Sequence, residues 1–349
     1  MNSKLNKYYD KGYTGLVNLG NTCFLNSCLQ ALNHTYELNE ILHSNNCKKY
    51  IKKNHDAEIL HEWKDLYKVI WENNGVVSPN KFVHNVQRIA KIKNKELFTG
   101  WSQNDMSEFL LFIIDCMHNS ISRKVKVNIS GSIQNSIDEV AVKCYHMMQN
   151  TYSNEYSEIM DLFYGIYLSE IKSKDGNTQH SIVPEYYFIL DLPIPSKPET
   201  TIYQCLDLFI TPEFLNGNNA WFNEKTGKRE DIQKCTGFWS FPKILVVTFK
   251  RFSPDGNSKL NTLIHFPLNN LDLSKYTTGY NASSNIYELY AICNHIGNVY
   301  MGHYTAFVKN IKGEWIHFND ENIEIVQSPE MVITPMAYCL FYRKKNNLL

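Results

Sequence analysis

The sequence carries no net charge. Lys and Arg total 35 and Asp and Glu total 35, so no field of one sign draws the chain toward nucleic acid or an anionic membrane surface. No apolar run approaches the roughly 20 residues that a membrane helix needs. The opening MNSKLNKYYDKGY is polar and has no secretory apolar core. There is no internal repeat and no long low-complexity linker. The 9 cysteines are an odd number at irregular spacings (23, 28, 47, 116, 144, 205, 235, 293, 339), which does not describe a disulfide framework. These absences point to a soluble protein of a reducing compartment, cytoplasm or nucleus, with neither nucleic acid nor membrane as partner. What is present is core material: 349 residues, 43% of them hydrophobic, suffice for one large domain with subregions or for two domains.

The first part of the chain reads as helical. Ile59, Leu60, Trp63, Leu66, Tyr67, Ile70 and Trp71 recur at helical spacing and stop at Asn74-Gly75. Ser78-Pro79 reads as the N-cap and first residue of a helix bearing Phe82, Val83, Val86 and Ile89. Residues 101–118 give a further helix with the stripe Met106, Phe109, Leu110, Ile113, Met117, and 119–155 a polar loop with one helix. From Leu162 the period changes. Segments 186–192, 243–252, 286–293, 303–309, 314–318 and 337–342 read as strands, and 216–227 as a polar loop. Helices first and strands later predict an α+β architecture.

Chemistry concentrates at two distant stretches. In GLVNLGNTCFLNSCLQAL, residues 15–32, Asn21 and Thr22 are helix-capping types, and Leu25, Cys28, Leu29 and Leu32 form one apolar stripe. Cys23 thus falls at a helix start, where unpaired N–H groups favour an anion and lower a thiol pKa. Gly15 and Gly20 let the preceding loop bend, and Asn18 offers an amide donor five residues before the thiol. Alone, such a cysteine is ordinarily an inert core residue. The second stretch, 287–323, changes that balance. His303 opens a strand, and the return strand ends sixteen residues later at Asn319-Asp320. A hairpin there sets Asn319 or Asp320 beside His303, a base with its orienter, as thiol activation requires.

Taken together, these stretches resemble the ubiquitin-specific protease family of deubiquitinating cysteine proteases. GLVNLGNTCFLNSCLQ is similar to the family's cysteine box, YELYAICNHIGNVYMGHYTAF to its histidine box, and WSQNDMSEFL to its Gln-x-Asp-x-x-Glu-Phe motif. VTFKRF, Lys259-Leu260 and HFPLNNLDL resemble its palm segments. The likeness runs from about Gly15 to Tyr342. It implies a papain-like α+β fold of thumb, palm and fingers. A short N-terminal segment 1–14 would precede one catalytic domain at 15–349, with the thumb at about 15–155 and the fingers and palm at about 156–349. It implies Cys23 as nucleophile, His303 as general base, Asn319 as third member with Asp320 adding charge, and Asn18 as oxyanion donor. Asp105 would meet the basic tail of ubiquitin, although Ser102-x-x-Asp105 also fits a capping box. His295 and Tyr304 would flank the cleft. The expected partners are ubiquitin and ubiquitinated proteins, with the chain acting as a monomer.

The sequence departs from the family in one place. Many members carry two CxxC pairs that bind a structural zinc in the fingers. Here no cysteine occurs in 171–177, and Asn223 and Thr226 stand at the second pair. No metal and no other cofactor is therefore expected. Two rival readings are a non-catalytic ubiquitin-binding module and a protease for another ubiquitin-like modifier.

Overall fold

A computed structural model describes residues 3–253, 255–298 and 301–345. Residues 1–2 of the expected N-terminal segment, and 254, 299–300 and 346–349 of the expected domain, lie outside the described residues. The first half is helical. A short strand, β1 (Thr14–Leu16), leads into α1 (Cys23–Asn33), α2 (Tyr36–His43), α3 (Asn45–Tyr50) and α4 (His55–Glu72). After β2 (Gly75–Val77), which pairs in parallel with β1, come α5 (Asn80–Ile92), α6 (Met106–Ile121), α7 (Ser136–Glu155) and α8 (Glu158–Phe163).

Two helix starts differ from the sequence reading. Helix α5 begins at Asn80 with Pro79 as N-cap, one residue later than expected. Helix α6 begins at Met106 rather than near Trp101, because the Asp105 carboxylate accepts the N–H groups of Ser107 and Glu108. Asp105 is thus itself the N-cap, and the capping box built on Ser102 does not form.

The second half alternates between two sheets. In order come β3 (Gly165–Ser173), β4 (Gln179–Tyr187), β5 (Ile189–Leu192), β6 (Glu199–Thr201) and α9 (Ile202–Phe209). Next are β7 (Glu213–Leu215), β8 (Trp221–Asn223), β9 (Lys228–Glu230), β10 (Ile232–Ser240), β11 (Ile244–Phe249), β12 (Leu263–His265) and β13 (Leu271–Asp272). Last are β14 (Ile286–Gly297), β15 (Gly302–Lys309), β16 (Trp315–Asn319), β17 (Asn322–Ile325) and β18 (Ala337–Lys344). The larger sheet runs β17-β16-β15-β14-β18-β11-β5, with β13 on β14. A smaller sheet runs β4-β3-β10-β7, and β8-β9 form a separate ribbon. The segment read as one strand, 186–192, is split at Phe188: the chain leaves the small sheet there and enters the large one while Phe188 packs on Phe163 and Tyr164. The segment read as a polar loop, 216–227, contains β8.

The centre of the large sheet is buried on both faces, so every residue of β11 (Ile244 to Phe249) is buried and all are apolar but Thr248, whose hydroxyl donates to Asp191. One face packs on the helices, the other on α9 and an aromatic cluster around Phe238. Helix α1 lies between the thumb helices and the sheet, and all eleven of its residues are buried. The expected apolar stripe is present, but the opposite side carries Asn26, Gln30 and Asn33, each donating to a backbone carbonyl. A helix enclosed on every side cannot tilt, and this fixes Cys23.

At the fingers tip, Asn223 Nδ2 and Thr226 Oγ1 both donate to Glu230 Oε1, at 3.0 and 2.7 Å. His180 stacks on Trp221, and its Nε2 is 4.0 Å from the second oxygen of Glu230. One carboxylate thus gathers the residues that stand where the second cysteine pair would be. Among the described residues no group of three or more His, Cys, Asp or Glu side chains could hold a metal ion. Of the aromatics in this region, Phe163 and Phe238 are fully buried, whereas Phe222 is 53% exposed and packs little.

Candidate active site

The loop before α1 is built by Asn18. Its Oδ1 accepts the N–H groups of Gly20 (3.0 Å) and Thr22 (3.1 Å), and Gly20 takes a φ of +99° that suits glycine. Thr22 is the N-cap of α1, but its hydroxyl accepts from Leu19 N–H (2.9 Å) and makes no cap bond to the helix. No side-chain cap therefore takes the first amides of α1, and those of Cys23 and Phe24 reach the thiol.

Cys23 is only 4% exposed. Burial pushes its thiol pKa up, against the pull of the N–H groups of Tyr304, Phe24 and Cys23 itself, while the Asp320 charge adds to the rise. The expectation that the helix start lowers this pKa is therefore corrected. The amides act in that direction, but loss of water outweighs them. A thiolate at neutral pH then requires a cationic neighbour.

His303 provides it. The β15–β16 hairpin sets Ala306 opposite Phe318, and Asn319, at the end of β16, reaches back to His303. Asn319 Oδ1 accepts from His303 Nε2 at 2.7 Å. With Nε2 held by Asn319, Nδ1 is the ring nitrogen that bond leaves over. Asp320 stands further off, its Oδ2 4.0 Å from the same Nε2. Its carboxylate is tied instead to two amides of the cysteine segment, Asn18 Nδ2 (2.9 Å) and Asn26 Nδ2 (2.8 Å). Asn18, read as the oxyanion donor, thus spends one N–H on Asp320, and among the described residues the other has no acceptor.

Cys23, Gln103, Asp105, His295, Gly302 and Tyr304 line one cleft. Asp105 caps α6 and also accepts from the hydroxyls of Tyr338 (2.6 Å) and Tyr304 (3.4 Å). Burial pushes both phenols up, so they remain donors. His295 is buried beneath the cleft, held down at about 4 by burial and then by the Lys259 charge. Lys259 Nζ donates to the His295 carbonyl at 2.6 Å, and burial brings the ammonium down to about 8. His295 is therefore a neutral ring of the cleft wall, packed so closely that a Cβ on Gly302 would lie 2.1 Å from its Nε2.

Two residues lie in the quoted motifs but are given no role by the sequence reading. Gln103 bridges the cleft, its Oε1 accepting the Gly302 N–H at 3.0 Å. Asn26 is the other. Its signal was a polar residue three positions after Cys23, on a helix expected to show one apolar face.

The sequence profile of the family described as ubiquitin carboxyl-terminal hydrolase matches residues 14–342. The chain is 34% identical over 342 residues to Ubiquitin carboxyl-terminal hydrolase Usp2 of Drosophila melanogaster, covering 96% of this chain and 35% of that protein. It is 35% identical over 353 residues to Ubiquitin carboxyl-terminal hydrolase 2 of Homo sapiens, covering 97% and 56%. It thus spans about a third to just over half the length of these curated relatives. Among solved structures, the SAGA Ubp8/Sgf11/Sus1/Sgf73 DUB module bound to ubiquitin aldehyde matches with a TM-score of 0.71 at 26% identity, covering 96% of this chain and 70% of that one. The papain-like α+β fold is the one expected. From Thr14 to Tyr342 the chain belongs to the ubiquitin carboxyl-terminal hydrolase family.

Proposed function

We propose that this chain is a deubiquitinating thiol protease that hydrolyses the isopeptide or peptide bond after the C-terminal glycine of ubiquitin. The observation that carries the reading is His303, fixed at Nε2 by Asn319 (2.7 Å) and next in β15 to Tyr304, whose N–H reaches the buried Cys23 thiol. His303 Nδ1 takes the thiol proton, and the thiolate attacks the glycine carbonyl. The first amides of α1 and the free N–H of Asn18 donate to the oxyanion. As the C–N bond breaks, His303 returns the proton to the leaving lysine amine. Water, deprotonated by the same imidazole, then cleaves the thioester. Asn319 holds the ring through neutral hydrogen bonding, and Asp320 supplies negative charge nearby. Asp105, at the cleft, meets the basic tail of ubiquitin, with Tyr304 and His295 shaping the wall.

We take the protein to act as a monomer on ubiquitin and ubiquitinated proteins, with no nucleic acid or membrane partner, in the cytoplasm or nucleus. Its 9 free cysteines support a reducing setting. The test is a panel of C-terminal fluorogenic conjugates of ubiquitin and ubiquitin-like modifiers, run with the native chain and Cys23→Ala. Turnover of the ubiquitin conjugate that Cys23→Ala abolishes is expected. Binding without turnover would make the chain a binding module, and turnover of another modifier alone would reassign the substrate.

A further inference from the structure

We infer that Asn26 is a positioning residue of this reaction, holding the Asp320 carboxylate in place beneath His303. The inference rests on the hydrolase reading above. Asn26 lies on α1 one turn after the nucleophile and is buried. Its Nδ2 donates to Asp320 Oδ1 at 2.8 Å and to the carbonyls of Leu16 and Val17 at 3.2 and 3.3 Å. Its Oδ1 has no hydrogen-bond partner among the described residues. The amide is therefore used only as a donor. Turned over, it would set its oxygen against three acceptors.

The Asp320 turn is clamped from three directions. Asn18 takes Oδ2 at 2.9 Å, Asn26 takes Oδ1, and Leu16 N–H donates to the Asp320 backbone carbonyl at 3.0 Å. Asp320 itself sits at φ +51°, a conformation Asp tolerates better than most residues. The turn comes this close only because residue 15 is glycine: a Cβ there would lie 2.4 Å from the Glu321 carbonyl oxygen. The result joins the two halves of the site. A rigid helix that carries the nucleophile also fixes, through Asn26, the carboxylate 4.0 Å from His303 Nε2. Asn319, the direct partner of that nitrogen, is neutral, so Asp320 is the negative charge that meets the imidazolium once His303 has taken the thiol proton.

A double-mutant cycle tests this, with Asn26→Ala, Asp320→Asn and both together. It uses a ubiquitin C-terminal fluorogenic conjugate, with single-turnover addition of a ubiquitin C-terminal electrophile to Cys23 for the slowest variants. Asn26→Ala should lower kcat about 10- to 100-fold with KM nearly unchanged, yet cost less than about threefold in the Asp320→Asn background. Equal losses in both backgrounds would mean that Asn26 serves only the Leu16 and Val17 carbonyls, and would overturn the inference, as would a loss confined to KM. Asn26→Ser, which keeps a short donor, replaces Asn26→Ala in the cycle if that variant fails to fold. An active native chain with an additive cycle sinks the role of Asn26 alone. An inert native chain removes the hydrolase reading and this inference with it.

Discussion

Asn319 Oδ1 lies 2.7 Å from His303 Nε2, whereas the nearer oxygen of Asp320 is 4.0 Å from that nitrogen. On the proposed mechanism the two adjacent residues divide the work: one fixes the ring, the other places charge. Asn319→Asp keeps the acceptor and should stay within about tenfold of native kcat/KM, while Asn319→Leu should lose about 10²-fold or more. Near-native activity of Asn319→Leu would transfer ring orientation to Asp320.

The buried thiol gives a pH prediction. Burial raises the Cys23 pKa above the ordinary thiol value, so without an imidazolium the thiol form persists to higher pH. In the native protein, alkylation of Cys23 by iodoacetamide should proceed at neutral pH through the ion pair. In His303→Ala it should rise only at alkaline pH, beyond the range of a free thiol. Mass mapping of the adduct reads this site alone. An unchanged profile in His303→Ala would show that the histidine does not activate Cys23.

Asp105 has two jobs that substitution can separate. Asp105→Ala removes an N-cap, costing about 0.5–2 kcal/mol, and also removes the acceptor of two tyrosine hydroxyls. Asp105→Asn keeps an acceptor oxygen but loses the charge. It should raise KM for the ubiquitin conjugate severalfold with a smaller drop in Tm than the alanine variant. A fall in Tm with KM unchanged in both would leave capping as the residue's whole role.

His34 makes stability sensitive to acid. It is fully buried, its Nδ1 2.9 Å from the Gln30 carbonyl and its Nε2 without a partner among the described residues. Burial, and then the Arg343 charge, hold it down at about 4. As pH falls, the unfolded chain takes this proton first, near the ordinary value of about 6.5. Stability present above that pH is therefore lost between about 6.5 and 4, by roughly 3 kcal/mol for this group. Urea unfolding across that range should show the loss, and His34→Gln should flatten it. An equally steep dependence in His34→Gln would assign the loss to other groups.

The fingers should be indifferent to metal. Purified protein is expected to contain no stoichiometric zinc, and strong chelators should change neither Tm nor hydrolysis. Glu230→Ala, which removes the acceptor shared by Asn223 and Thr226, should instead cost about 1–2 kcal/mol, since two hydrogen bonds to a partly exposed charge are lost. One bound zinc per chain by elemental analysis would overturn this view of the tip.

The sequence by itself determined that helices come first and strands later, the start of the Cys23 helix, and that a hairpin brings Asn319 or Asp320 to His303. Each rests on local physics: apolar periodicity, capping types and the reach of one hairpin. It did not determine where the strands of the fingers lie, because short half-exposed strands such as β8 and β9 carry too few apolar residues to show a period. The split of 186–192 was equally invisible, since leaving one sheet for another at Phe188 depends on the pocket formed by Phe163 and Tyr164. The sign of the Cys23 shift was missed for the same reason: the helix amides are local, but the burial that outweighs them comes from β15 and the enclosing thumb. Asn26 is the clearest case. Its amide became part of the site only when residues 294 positions apart in the chain met, and no period or motif in a single segment encodes that meeting.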